Sequence, residues 1–316
     1  MKIIFAGTPQ FAAAHLKILL DSNHVVKSIL TQPDRRSGRG NKLKFSPVKD
    51  LALSHEIDVL QPISLKNKTV ISALRELEAD LILVVAYGLI IPSNLLNLTK
   101  LGCINIHASI LPRWRGAAPM EYALFSGDRT TGISYMRMTE GLDEGPVLET
   151  QECKIESKDN LDSIENKLLS LSNRHLLDFL KKLELGELQE KNQDETQVTF
   201  APKIDTRFQL INWNKRSEEI ERKIKSLDSK YGAYTFLGSK RIKIYQGEAV
   251  NKSTKLNPGE LIISDENHLL VGCKEGTLVR LKALQMEGKS IINEQEFIRG
   301  YKSLIQEKIK FSSNVQ

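Results

Sequence analysis

Lys2-Ile3-Ile4-Phe5-Ala6-Gly7 begins the chain with an apolar run that ends on a glycine. Further apolar runs recur through the first half and alternate with segments of helix-like spacing. The runs are Val25–Thr31, Leu81–Ala86 and Ile104–His107, and the helix-like segments are Phe11–Leu20, Val48–Ser54 and Val70–Leu77. Strands of this kind are typical of a parallel sheet covered by helices on both faces. The sequence therefore predicts an α/β fold with a mostly parallel, Rossmann-like sheet that binds ligands at the carboxyl ends of its strands.

The second half has a different pattern. A strand at Val147–Ile155 and a long helix at Leu161–Leu183 are followed by a polar stretch and then by five short segments rich in β-formers between residues 234 and 284. Because 316 residues exceed the usual size of one core, two domains are expected. We predict a catalytic domain over 1–189, a linker over 190–206, and a small β-barrel of the oligonucleotide-binding type over 207–316.

Three polar residues supply the parts of an acyl-transfer site. Asn105 and His107 are two apart in a predicted strand, so their side chains point to the same face. Asp143 lies between Gly141 and Gly145, in a predicted loop. When an amine attacks a formyl carbon, Asn and His can donate to the developing oxyanion and Asp can accept a proton. The alternative is that Asp143 belongs to an ordinary surface turn.

The longer motif containing these residues resembles the signature of the 10-formyltetrahydrofolate-dependent formyltransferases. It consists of Asn105-Ile106-His107-Ala108-Ser109-Ile110-Leu111-Pro112, Arg115-Gly116-Ala117-Ala118-Pro119 and Asp143. Within that family, Ile4–Pro9, Gly38-Arg39-Gly40, Ser46–Lys49 and Val85–Gly88 resemble the branch that acts on Met-tRNA, over nearly the whole chain.

The resemblance implies both an activity and a site. The formyl group of 10-formyltetrahydrofolate would pass to the α-amino group of methionine on initiator Met-tRNA, with Asn105, His107 and Asp143 as catalytic residues. The folate would lie along Ser109, Ile110, Leu111 and Pro112. Val85, Ala86, Tyr87 and Gly88 would line the same pocket, although an apolar strand end could equally belong to the core. Because the formyl donor is already activated, neither a metal nor a covalent enzyme intermediate is required.

The distribution of charge favours a polyanionic partner. Residues 201–316 hold 21 Lys or Arg against 14 Asp or Glu, whereas residues 1–200 hold 24 against 25. A basic second half is typical of nucleic-acid binding, although a merely basic surface is the alternative. In the family a basic loop enters the acceptor arm of the tRNA. Arg39 and Lys42 occupy that loop here, and Lys44 and Lys49 extend its charge.

Other classes of site and location are disfavoured. Gly7-Thr8-Pro9 lacks the G-x-G-x-x-G spacing of a dinucleotide site, and the loop around Arg39 lacks a P-loop frame. The three cysteines contain no C-x-x-C pair. No secretory signal is visible and no apolar segment reaches membrane-spanning length. We therefore expect a cytoplasmic protein, without metal or membrane, that acts as a monomer.

Three alternatives are weighed against this interpretation. A glycinamide ribonucleotide formyltransferase would share the three catalytic residues but typically lacks a second domain. A sugar-nucleotide formyltransferase can carry a comparable first domain and a carboxy-terminal barrel, and is the nearest enzymatic alternative. A noncatalytic RNA-binding protein would use the three polar residues only structurally.

Overall fold

The computed structural model describes residues 1–37, 42–306 and 310–313, which form two compact units. The first unit comprises residues 1–119, 130–154 and 165–202, and the second comprises 120–129, 155–164 and the residues from Lys203 onward. The strands are β1 (Lys2–Gly7), β2 (Val25–Leu30), β3 (Arg35–Ser37), β4 (Lys42–Lys44), β5 (Val59–Leu60), β6 (Leu81–Val85), β7 (Cys103–His107), β8 (Arg115–Gly116), β9 (Thr130–Arg137), β10 (Val147–Lys154), β11 (Phe200–Ala201), β12 (Ala233–Leu237), β13 (Lys240–Val250), β14 (Leu261–Ile263), β15 (Leu269–Gly272), β16 (Leu278–Met286), β17 (Ile291–Asn293) and β18 (Phe311–Ser312). The α-helices are α1 (Gln10–Leu20), α2 (Pro47–Ser54), α3 (Lys68–Glu76), α4 (Ser93–Leu96), α5 (Pro119–Ser126), α6 (Leu161–Leu185), α7 (Thr206–Gln209), α8 (Ser217–Tyr231) and α9 (Glu294–Gln306).

The first unit is built on a seven-stranded sheet in the order β10-β9-β7-β6-β1-β2-β5. Strands β5, β2, β1, β6 and β7 run parallel to one another, while β9 is antiparallel to both β7 and β10. The opening run Ile3–Ala6 is fully buried in the centre of this sheet. A central strand without exposed residues needs cover on both faces, and helices provide it.

Each face of the sheet packs against different helices. Ile82 and Val84 of β6 belong to a buried cluster that includes Leu74 of α3 and Leu95 of α4. On the other face, Tyr135 of β9 stacks on Phe179 of α6 with 4.2 Å between ring centroids. Polar caps begin two of the helices: Ser46 accepts a hydrogen bond from the backbone N–H of Lys49, and Asn67 accepts one from Thr69. The mostly parallel sheet predicted from the sequence is confirmed.

The second unit contains an antiparallel sheet that follows the path β14-β15-β16-β13-β12-β18, with β17 paired to β16. A bridge between Glu260 and Lys310, with the Phe311 N–H donating to the Gly259 carbonyl over 2.9 Å, joins the two ends of this path. The barrel predicted for the second half is therefore confirmed. Trp213 packs beside it, stacking on Phe311 and donating from Nε1 to Thr235 Oγ1 over 2.9 Å.

The segment predicted to be a linker, 190–206, includes ordered contacts within the first unit. Lys191 forms a bridge to Val147, and β11 pairs in parallel with β8. In the described part of the chain, no helix combines the length and apolar character that crossing a membrane requires.

Candidate active site

Strand β7 presents both of its polar residues on one face of the sheet. Asn105 lies opposite Val84 of β6 in the parallel register, which places the Asn105 and His107 side chains on the same face as Val84. Asn105 is 8% exposed and His107 is 5% exposed. Both therefore stand at the carboxyl end of a buried strand, where the fold predicts a ligand site.

The Asp143 carboxylate meets both of these side chains. Asn105 Nδ2 donates to Asp143 Oδ1 over 3.3 Å, and His107 Nδ1 lies 3.6 Å from Asp143 Oδ2. The backbone N–H of Gly116 also donates to Oδ2, over 2.9 Å. The structure thus brings the three predicted catalytic residues together, although Asp143 is far from the other two in sequence.

The His107 ring has a defined orientation. Its Nε2 lies 2.8 Å from the Trp114 carbonyl oxygen. Because a carbonyl oxygen can only accept, Nε2 carries a proton and donates it to this bond. Nδ1 is then the nitrogen that faces Asp143 and remains available to exchange a proton.

Glycine makes the loop around Asp143 possible. Asp143 has a positive φ of 49°, a conformation that Asp tolerates better than most residues. At Gly145 an added Cβ would lie 1.9 Å from the Arg137 carbonyl oxygen, so no larger residue fits without moving the backbone. The loop therefore returns closely along the end of β9, which turns the Asp143 carboxylate toward β7.

The predicted linker contributes contacts to this loop that sequence analysis missed. Gln193 Nε2 donates to the carbonyl oxygens of Asp143, over 2.8 Å, and Gly145, over 2.7 Å. Gln193 Oε1 accepts from Arg115 Nε over 3.0 Å, and Arg115 is 4% exposed. Glu195 pairs with the same guanidinium at 2.7 Å, which holds the pKa of the Glu195 carboxyl below its ordinary value. The polar composition of residues 187–195 gave no signal of this role.

The segment predicted to contact folate, Ser109 to Pro112, is fixed by hydrogen bonds. Ser134 Oγ donates to the Ser109 carbonyl over 2.8 Å and accepts from the Leu111 N–H over 3.1 Å. Ser109 and Leu111 are buried, while Ile110 and Pro112 are partly exposed. Ile110 and Pro112 are thus the members of this segment with accessible surface.

The Val85 to Gly88 segment alternates between buried and exposed residues. Val85 and Tyr87 are buried, and burial raises the pKa of the Tyr87 hydroxyl to about 12. Ala86 and Gly88 are exposed, with positive φ values of 45° and 81°. The Tyr87 side chain belongs to the core cluster beneath the sheet, so only Ala86 and Gly88 of the predicted four present accessible surface.

One of the two residues predicted to bind tRNA, Lys42, lies in a short strand of a β-hairpin. Strands β3 and β4 pair with Arg35 opposite Lys44. Arg39 lies outside the described residues, and Lys42 is described only through its backbone in β4.

Lys49 has partners of its own at the base of this hairpin. Its Nζ lies 2.5 Å from Asp34 Oδ2 and 2.7 Å from Gln61 Oε1. Although desolvation acts to raise it, hydrogen bonds from Lys49 and Gln61 hold the pKa of the Asp34 carboxyl below its ordinary value. The positive charge of the Lys49 ammonium group is therefore largely neutralised by Asp34. The sequence predicts that Lys49 extends the charge of the basic loop, and the structure differs from that prediction.

Within residues 1–37, 42–306 and 310–313, no group of three or more His, Cys, Asp or Glu side chains is arranged to hold a metal ion.

Sequence comparison gives the family of the chain. The family model for formyl transferase matches residues 1–180, and the model for the formyl transferase C-terminal domain matches residues 203–302. A methionyl-tRNA formyltransferase of Coxiella burnetii is 42% identical over 301 residues, which cover 95% of this chain and 96% of the relative. One from Pseudoalteromonas translucida is 41% identical over 302 residues, covering 95% and 94% respectively.

Solved structures of more distant proteins share the fold. A sugar 3N-formyl transferase, WlaRD, crystallised in the presence of dTDP and 5-N-formyl-THF, is 17% identical with a TM-score of 0.66 and covers 92% of this chain and 99% of its own. HypX from Aquifex aeolicus, in complex with tetrahydrofolic acid, is 16% identical with a TM-score of 0.64 and covers 97% of this chain and 48% of its own. With two family models matched and relatives above 40% identity along nearly its whole length, the chain belongs to the formyl transferase family, in its methionyl-tRNA formyltransferase branch.

Proposed function

We propose that this protein transfers the formyl group of 10-formyltetrahydrofolate to the α-amino group of methionine on initiator Met-tRNA. The observation that carries the proposal is the meeting of Asn105, His107 and Asp143 at the carboxyl end of β7, in a chain 42% identical to a methionyl-tRNA formyltransferase. A donor amide, an imidazole and a carboxylate are the groups that attack of an amine on a formyl carbon requires.

Asn105 and His107 stabilise the charge that develops on the formyl oxygen. The Asn105 amide has two N–H donors, of which one is directed at Asp143 and the other remains for the substrate. His107 can donate through Nδ1 only when that nitrogen is also protonated, because the Nε2 proton is already donated to the Trp114 carbonyl. Both donors are fixed before the substrate arrives, so little reorganisation is needed during the reaction.

Asp143 stabilises a proton on His107 Nδ1 and, through water, accepts the proton that the attacking amine loses. As the new bond between the amine and the formyl carbon forms, the bond from that carbon to N10 breaks, and N10 takes up a proton so that tetrahydrofolate leaves. Its side chain is 13% exposed, which leaves it accessible to a water molecule while most of it is shielded. The Gly116 N–H donates to Oδ2, the carboxylate oxygen that also faces His107, and so favours the ionised carboxylate.

The residues beside this cluster fit a folate. Exposed backbone at Ala86 and Gly88 can pair with the polar edge of a pterin, and Ile110 and Pro112 offer apolar surface to its face. Ser109, Leu111, Val85 and Tyr87 support these surfaces from beneath. When bound, 10-formyltetrahydrofolate supplies the activated formyl group. Two distant structural neighbours were solved with 5-N-formyl-THF and with tetrahydrofolic acid, which supports a folate donor.

Initiator Met-tRNA is the acceptor in this proposal. The net charge of +7 over residues 201–316, from 21 basic and 14 acidic residues, suits a polyanion. In this proposal Arg39 and Lys42 of the basic loop contact the acceptor arm. A guanidinium is well suited to this task because it can bridge phosphates or stack on a base.

A formylation assay tests the proposal. The wild-type protein is incubated with 10-formyltetrahydrofolate and, in parallel, with initiator Met-tRNA, elongator Met-tRNA and an amino-sugar nucleotide. We expect formylmethionyl-tRNA from the initiator species. Formylation of the sugar nucleotide alone would establish the sugar-nucleotide alternative, and binding of tRNA without transfer would establish a noncatalytic RNA-binding protein.

The tRNA contact is tested separately with Arg39→Ala. This change should raise KM for tRNA and weaken its salt dependence, because one phosphate contact is lost, while KM for folate stays unchanged. Unchanged tRNA kinetics and salt dependence would refute the assignment of this loop.

The proposal also includes a cytoplasmic location and a monomeric state. Charged tRNA is made and used in the cytoplasm, so the acceptor sets the location. Sedimentation equilibrium on the full chain decides the oligomeric state, and a mass near 35.6 kDa supports the monomer.

A further inference from the structure

Gln193, near the start of the predicted linker, contacts the backbone at Asp143 and at Gly145, two residues further on. Gln193 Nε2 donates one hydrogen to the Asp143 carbonyl and one to the Gly145 carbonyl, at 2.8 Å and 2.7 Å. The amide has only these two donors, so both are used on a single loop. A side chain from residue 193 thereby spans the turn that directs the Asp143 carboxylate at His107.

The Gln193 side chain is itself held in place. Its Oε1 accepts from Arg115 Nε over 3.0 Å, and this guanidinium also donates to Glu195, with 2.7 Å between Nη2 and Oε1. Arg115 lies in β8, and the next residue, Gly116, donates its N–H to the Asp143 carboxylate. Arg115 and Gly116 therefore fix Asp143 twice, through Gln193 on the backbone and directly on the carboxylate.

The distance between Asp143 and His107 makes the exact position of the Asp143 loop important for the reaction. His107 Nδ1 and Asp143 Oδ2 are 3.6 Å apart, just beyond the length of a hydrogen bond, so a small shift of the loop makes or breaks the contact. Misplacing a reacting group by about 1 Å can cost on the order of a hundredfold in rate. The positive φ of Asp143 indicates that the loop needs such external support to keep this conformation.

We propose that Gln193 is a positioning residue for the reaction: by bridging the Asp143 and Gly145 carbonyls it sets the distance between the Asp143 carboxylate and His107 Nδ1. In this role Gln193 acts through Asp143 and not on the reacting atoms. This inference rests on the proposed function for its kinetic test, but the contact it describes can be measured without turnover.

Two variants separate the hydrogen bonds from side-chain size. Gln193→Glu keeps the shape and the acceptor for Arg115 but turns a carboxylate oxygen toward two carbonyl oxygens. Gln193→Met keeps the length and removes the donors. Gln197→Glu is the matched control, because Gln197 lies on the same segment, is exposed, and donates among the described residues to Asp194, over 2.8 Å.

We expect kcat to fall about 10- to 100-fold in Gln193→Glu and by a smaller factor in Gln193→Met, with KM for folate and tRNA changed by less than about threefold. The pH dependence of kcat should shift in both Gln193 variants, because the His107–Asp143 contact is altered. Gln197→Glu should match the wild type in every respect.

A spectroscopic readout completes the test. The ring ¹⁵N resonances of His107, assigned by their loss in His107→Asn, should move in Gln193→Glu and stay in place in Gln197→Glu. Unmoved resonances together with a wild-type pH profile would overturn the inference, even if the variant lost thermal stability. If the wild-type protein failed to formylate Met-tRNA, the proposed function would fall, while these resonances would still decide the role of Gln193.

Discussion

His107 Nε2 donates a hydrogen bond of 2.8 Å to the Trp114 carbonyl oxygen, and this bond determines which nitrogen of the ring meets Asp143. Trp114 is itself held in position, because its N–H donates to Thr199 Oγ1 over 2.9 Å. The segment 191–201 therefore supports both partners of the candidate catalytic pair, His107 through Trp114 and Asp143 through Gln193. The region predicted to be a linker is thus part of the framework of the site.

Replacing His107 by Asn should abolish most of the turnover. The substitution removes Nδ1 and with it the proton exchange facing Asp143, so kcat should fall about 10²- to 10⁴-fold with little change in KM for folate. Steady-state formylation of initiator Met-tRNA measures this. His55→Asn, at an exposed position, is the control. A kcat within about threefold of the wild type would contradict the proposed role.

Gly145→Ala should lower both the stability of the protein and its formylation activity. The new Cβ would lie 1.9 Å from the Arg137 carbonyl oxygen, so the Asp143 loop must move, at a cost of about 1–3 kcal/mol in the free energy of unfolding. Urea unfolding and formylation assays report both effects. At Gly300 in α9 an added Cβ meets nothing within 4 Å, so Gly300→Ala should leave activity intact and raise stability slightly. Equal behaviour of the two variants would argue against a tightly packed loop.

The stability of the protein should fall in mild acid because of His15. Burial lowers the pKa of this histidine from 6.5 to about 4, with an opposing contribution from the Phe11 carbonyl. Its Nδ1 donates to that carbonyl, so Nε2 accepts from Ser172 Oγ over 2.7 Å and the folded ring is neutral. Below the ordinary pKa of histidine, the unfolded chain binds a proton at His15 that the folded chain does not bind. The contribution of His15 to the free energy of unfolding is therefore fully present above pH 6.5 and is lost as the pH falls toward 4.

Urea unfolding of the wild type and of His15→Gln measures this effect. Between about pH 7.5 and about pH 4.5 the wild type should lose about 2–3 kcal/mol more unfolding free energy than the variant does. His55→Gln, at an exposed position, should keep the wild-type dependence. Parallel curves for the wild type and His15→Gln would show that His15 titrates normally in the fold.

Thiol reagents should distinguish the three cysteines. Burial raises the pKa values of Cys103 and Cys273 to about 12, whereas Cys153 is partly exposed. Since the thiolate is the reactive form, native protein treated with iodoacetamide near neutral pH should be labelled first at Cys153. Peptide mass spectrometry identifies the labelled site, and urea-unfolded protein should react at all three. Early labelling of Cys103 in native protein would indicate that β7 opens easily.

Continuous apolar runs made the parallel strands predictable. Such a run can be buried only where helices cover both faces, so β1, β6 and β7 and the helices α1, α2 and α3 could be predicted from local pattern alone, whereas the short α4 was not predicted. Strand β9 was not predicted, because Thr130–Arg137 mixes Thr, Gly, Ser and Arg with its apolar residues. Its strand conformation is decided by pairing with β7 and β10.

The candidate site likewise contains residues that the local sequence predicted and residues that it did not. Local sequence sufficed for Asn105 and His107, since a spacing of two places both side chains on one face of any strand. The resemblance of the surrounding motif pointed to Asp143, and the fold brings it within 3.6 Å of His107. No local pattern indicated Gln193, because a polar segment near the surface has the same composition whether or not it supports a loop.

By itself the sequence determined the parallel sheet, the barrel and the two polar residues of β7, because periodicity and apolar content act over a few neighbouring residues. Only the tertiary structure decided which nitrogen of His107 faces the carboxylate and what holds Asp143 in place. Those contacts join residues 7 to 50 positions apart, and hydrogen bonds of that range depend on how the whole first unit folds.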